Sequence, residues 1–151
     1  MQRFRRRDRR PARRGGVGSA ERRSADVELA GADVLLVGYF SAKERNFVGI
    51  MDAAAAELTA RGARIVGRTV QRRGVSGGGV EKMALPYSSR TLLSSGKVRE
   101  LAAVRAATDA DAVVFVAPLT EHQRHVLTET LGRPAVSLFE VRRRAEGLPA
   151  R

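Results

Sequence analysis

Residues 33–40 read DVLLVGYF, and the four residues from Val34 to Val37 carry no polar side chain. A strand with one face in water alternates apolar with polar, so a continuous apolar run of this length fits a strand covered on both faces, the usual state of a parallel strand. Downstream of it the pattern changes period. Ser41-Ala-Lys-Glu44 fits a capping box, with Asn46 as a second candidate cap. Phe47, Ile50, Met51, Ala54 and Leu58 then fall on one helical face, and Gly62 is placed to end that helix. Residues 64–70 (RIVGRTV) form a second strand with a basic exit, Gln71-Arg72-Arg73.

The alternation continues after a glycine-rich stretch, residues 74–89, that has no period and is longer than connections inside compact domains usually are. Residues 90–93 are a short strand candidate. Residues 97–107 form a helix that buries Val98, Leu101 and Ala102. Residues 112–117 (AVVFVA) are again apolar throughout, as a fully covered strand requires. Thr120-Glu-His-Gln123 is a capping box that opens a helix running to Leu131, stopped by Gly132 and Pro134; residues 135–141 are a last strand. Strands separated by helices of this length predict an α/β fold: three layers, a mostly parallel four- to five-stranded sheet and helices on both faces.

Composition supports one such domain over residues 31–141. The chain has 151 residues, 43% of them hydrophobic, chiefly Ala, Val and Leu, with no Trp. It has no cysteine, which excludes disulfides, thiolate-bound zinc and a cysteine nucleophile. No apolar run approaches the ~20 residues that span a bilayer. The charged N-terminus lacks a secretory signal's apolar segment, although arginine-rich, acid-poor starts also occur in organellar transit peptides. The Ala- and Arg-heavy composition is that of a high-GC bacterial protein, and the expected location is cytoplasmic.

The net charge of +12 is unevenly spread. Residues 1–23 hold ten arginines against Asp8 and Glu21. Too few apolar residues lie there to offset the entropy of ordering, so residues 1–30 are expected to be a disordered arm and lead-in. Eight of those arginines, Arg3, Arg5, Arg6, Arg7, Arg9, Arg10, Arg13 and Arg14, fall within the first fourteen residues. Such a density suits phosphate binding, since a guanidinium binds phosphate in bidentate fashion and stacks on bases. No amphipathic apolar face accompanies them, so a membrane surface is not the expected partner. Residues 142–151 read as a basic tail. In the body, Arg72, Arg73, Arg90 and Lys97 fall where a parallel sheet gathers strand ends and helix starts, and would complement an RNA backbone there.

Other residues are candidates for chemistry. Gly96-Lys97 at a helix start could hold a nucleotide phosphate. A P-loop needs Gly at position 91 and Ser or Thr at position 98, where this chain has Thr91 and Val98. His122 and His125, with Glu121 and Glu129 nearby, lack the HExxH spacing and read as surface residues of a capped helix. Asp109 and Asp111 read as acids where a helix hands over to a strand. No catalytic residue, metal or cofactor is expected.

The first strand and helix, then residues 62–73 (GARIVGRTVQRR), 92–101 (LLSSGKVREL) and 110–124 (ADAVVFVAPLTEHQR), resemble in order the N-terminal domain of HflX-family ribosome-associated GTPases. Three departures stand out: Ser94-Ser95-Gly96-Lys97 replaces a glycine-x-Gly-Lys stretch, roughly Leu138-Phe139-Glu140 replaces Asp-Arg-Thr, and the loop at 74–89 is expanded. They bear on nucleotide binding more than on fold. The resemblance implies a ribosome or ribosomal RNA as partner. Together with the arm it predicts a non-enzymatic, RNA-associated accessory factor. The alternatives are a small ATP- or GTP-binding protein using Gly96 and Lys97, or a regulatory module with a protein partner.

Overall fold

Strand β1 (Asp33–Ser41) takes up the DVLLVGYF run and lies inside the sheet, with a parallel neighbour on each side. The computed structural model describes residues 29–73, 90–145 and 147; most of the arm, the loop at 74–89 and the last residues of the tail lie outside the described residues. From β1 the chain passes through α1 (Phe47–Ala60) to β2 (Arg64–Arg73), then α2 (Ser95–Thr108), β3 (Ala112–Phe115), α3 (Glu121–Leu131), β4 (Ala135–Ser137) and α4 (Leu138–Ala145). Among the described residues the sheet has four parallel strands in the order β2-β1-β3-β4.

Both faces of the sheet are covered, so the fold is a three-layer α/β sandwich. Val34, Leu36 and Phe40 of β1 pack with Met51, Ala54, Ala55 and Leu58 of α1 and with Leu138 and Val141 of α4. Leu35 and Val37 point the other way, to Val98 and Leu101 of α2 and Leu127 and Leu131 of α3. This is why β1 has no polar alternation: successive residues enter different cores. β1 pairs with β2 from Asp33↔Arg64 to Ser41↔Arg73, with a register jump that leaves Val66 as an extra residue. After the jump Gly67 faces Leu35, where a Cβ would come within 2.8 Å of the leucine Cδ2.

Three local expectations are corrected. Residues 90–93 are not a strand but a turn, and Leu92 has a φ of +74°. Leu92 and Leu93 are both buried in the same core; an extended chain would send them to opposite faces. The last strand stops at Ser137, and residues 138–141 begin a helix. Ser137 Oγ accepts from Glu140 N at 3.2 Å while Glu140 Oε1 accepts from Ser137 N at 3.2 Å, a capping box that turns the chain. Four residues assigned to the tail, 142–145, belong to this helix. Finally, Ser41-Ala-Lys-Glu44 caps no helix. Ser41 Oγ accepts from Lys43 N two residues on, and α1 starts after Asn46, whose side chain makes no cap bond. The capping box at Thr120 and Gln123 is present as expected, and Gly132 closes α3 with φ +79°.

Candidate nucleic-acid interface

A parallel sheet places all its strand C-termini on one edge, the usual ligand edge of open α/β folds. Here the C-terminal end of β2 gathers two other segments around itself. Ala42 N donates to Arg73 O at 2.9 Å, carrying the β1 pairing past the strand end into the β1–α1 loop. Arg72 reaches that loop from its side chain: Nη2 donates to Ala42 O at 2.6 Å and to Glu44 O at 2.9 Å. Its guanidinium also lies over the Phe47 ring, 4.4 Å from the centroid. Gln71, whose side chain points to the other face, donates from Nε2 to Ser94 Oγ at 2.8 Å and accepts from Ser94 N at 2.9 Å. Ser94 is the N-cap of α2, its hydroxyl accepting from Lys97 N at 3.2 Å.

Three segments, 41–46, 71–73 and 90–100, therefore meet at one corner. They bring Lys43, Arg45, Arg72, Arg73, Arg90, Lys97 and Arg99 against only two acids, Glu44 and Glu100. Lys97, half-buried, pairs with Glu100 at 3.2 Å. Glu44 is turned back on the loop, accepting from Asn46 N at 3.1 Å. Of the sites expected from sequence, Arg72, Arg73, Arg90 and Lys97 lie on the segments that meet here. The structure gives Arg72 a fixed role in shaping the loop. The eight arm arginines lie outside the described residues. Lys43, Arg45 and Arg99 were not singled out from sequence, although the predicted position of their segments on the C-terminal edge was the available signal.

Among the other described residues the charges are nearly balanced. At the opposite edge Asp33 Oδ1 accepts from Arg64 Nε at 2.7 Å and Asp111 Oδ2 accepts from Asp33 N at 2.9 Å. Arg133 lies 3.2 Å from Asp109 and 3.6 Å from Asp111. These acids are thus committed to the hand-over from helix to strand. On the β3–β4 half of the C-terminal edge, Arg124 forms a buried ion pair with Glu140 and lies 4.0 Å from Glu121. Burial pushes the Glu140 carboxyl above the usual carboxylate range, against the opposing pull of the Ser137 N–H and of Arg124 and Arg144.

Among the described residues no group of three or more His, Asp or Glu side chains could hold a metal ion. His122 is exposed and His125 half-buried, one turn apart on α3. No described helix is long and apolar enough to cross a membrane. No family model matches the chain, and no curated protein matches it.

Proposed function

We propose that the protein is a non-enzymatic, RNA-associated accessory factor that docks on the ribosome. In this reading the basic corner lies against the RNA backbone and the arginine arm adds phosphate contacts. The observation that carries it is the contrast between the two sheet edges. One pairs its acids and bases; one corner of the other gathers seven cations around two acids, both engaged within their own segments. A surplus of this kind on one corner is the electrostatic footprint of a polyanion-binding surface. The resemblance to a ribosome-binding domain favours ribosomal RNA among polyanions.

Co-sedimentation with ribosomal particles over a salt series tests the reading, with association at low salt that falls steeply as salt rises. Arg73→Gln and Arg90→Gln weaken it, whereas Arg64→Gln, the same charge change at the paired edge, leaves it intact. Absence of association at low salt, or equal loss from all three variants, would overturn the proposal.

Nucleotide binding at Gly96 and Lys97 has one supporting observation. Gly96 is exposed, and a Cβ there would meet nothing closer than Arg99 at 3.9 Å, so a ligand could approach the backbone. Against it, the Lys97 ammonium is already paired with Glu100. Equilibrium binding of ATP and GTP, repeated with Lys97→Ala, decides between the two.

A further inference from the structure

Resting on that reading, we infer that Lys43 and Arg45, in the loop between β1 and α1, are direct phosphate contacts of the corner, and that Arg72 is a positioning residue that presents them. Both hydrogens of Arg72 Nη2 are taken by the carbonyls of Ala42 and Glu44, the residues on either side of Lys43. One face of the guanidinium rests on Phe47, which in turn packs on Phe40 with ring centroids 6.0 Å apart. The loop is pinned at four further points: Ala42 N to Arg73 O, Lys43 N to Ser41 Oγ, Glu44 N to Ser41 O, and Asn46 N to Glu44 Oε2.

Lys43 and Arg45 are the two residues of this pinned loop that carry a positive charge. Both are exposed, and no hydrogen bond or ion pair engages either side chain among the described residues. A loop fixed before binding leaves less backbone entropy to lose when an anion arrives, so two cations on it serve better than two on a free chain. The ligand chemistry this fits is the phosphodiester backbone of a single-stranded RNA, met by two cations whose spacing is set in advance. Arg72 itself has its inner edge and one face committed, and its contribution is to the loop.

The test uses the full chain and single-stranded oligouridine, with oligothymidine as a second arm. Lys43→Ala and Arg45→Ala each weaken binding about two- to five-fold at moderate salt. Each also lowers the log–log salt slope by about 0.7. Arg72→Lys keeps the charge but cannot hold two carbonyls or cover the ring. It weakens binding with the salt slope unchanged, and has no further effect when added to the Lys43→Ala, Arg45→Ala double variant. The losses are the same on oligouridine and oligothymidine, because the contacts are to phosphate. The inference is overturned if the double variant binds like wild type, if the Arg72→Lys loss adds in full to it, or if losses are confined to oligouridine. Should Arg72→Lys misfold, the two exposed-residue variants still decide the contacts. Failure of the wild-type chain to bind any oligouridine removes the RNA reading itself, and this inference with it.

Discussion

Two carboxylates of this fold are held in opposite electrostatic settings. Glu57 on α1 lies between Arg142 at 2.8 Å and Arg61 at 3.0 Å. The hydrogen bond from Arg142, assisted by Arg61 and opposed by partial burial, lowers its pKa to about 2. Its folded value is below the ordinary one, so its contribution is present above the unfolded pKa and is lost as pH falls through about 2. Arg142 is half exposed, so solvent screening holds that contribution to about 1 kcal/mol. Glu140 is the reverse case, raised by burial and held by the buried Arg124. Removing Arg124 leaves an unpaired buried carboxylate, a loss of about 3 kcal/mol at neutral pH. With the guanidinium gone the carboxyl rises further, so the folded state binds more protons than the unfolded one and stability falls as pH rises. Urea denaturation of Glu57→Gln and Arg124→Met at neutral pH and at about pH 3 separates the two settings. Both variants lie closer to wild type in acid, Glu57→Gln because wild type has lost part of its advantage by about pH 3 and Arg124→Met because its carboxyl is neutral. A constant gap for either across that range would contradict the assignment.

The helix α4 shows what a single cap does at the scale of an element. It has eight residues, three of them consecutive arginines, and is too short to hold itself. Its start is fixed by the Ser137–Glu140 box and its second turn by Arg142 on Glu57. Ser137→Ala costs about 1 kcal/mol. Amide exchange is expected to speed up in α4 and stay unchanged in α3, which has its own box at Thr120. Equal acceleration in both helices would show that the cap acts on the whole fold. The same box explains why residues 135–141, which read as a strand, turn into a helix after Ser137. A short apolar run cannot be assigned by periodicity alone, and the S-x-x-E signal at Ser137 was the tie-breaker that went unused. The long central elements were legible because burial on two faces leaves an unmistakable pattern in β1 and β3. The turn at Leu92 was not, since it depends on two adjacent leucines entering one core. Nor was the corner network, whose bonds from Arg72 to Ala42 and Glu44 and between Gln71 and Ser94 join positions 23 to 30 residues apart.

At the scale of the whole molecule, the charge falls into two unequal parts. Residues 1–23 carry ten arginines and two acids, whereas the remaining 128 residues carry 18 Lys and Arg against 14 acids. Most of the surplus is therefore in the arm, and the body's share is concentrated at one corner by hydrogen bonds between distant segments. The two described cores are assembled from residue 29 onward. If the arm supplies contacts and the body supplies the docking geometry, deleting residues 1–23 separates affinity from fold. The thermal midpoint in moderate salt is expected to stay within a few degrees of the full chain, a shift smaller than 1 kcal/mol would produce. Association with RNA is expected to weaken and its salt dependence to flatten by about 0.7 in log–log slope for each arginine that touched a phosphate of a single strand. Six such contacts account for a change of about 4, large enough to read in a salt titration at two or three concentrations. The shortened chain keeps the residual slope of the corner, and Lys43→Ala reduces that slope further. A shortened chain with the full slope would place the contacts on the body alone. One with no binding at low salt would leave the arm as the only contact and the corner without a role.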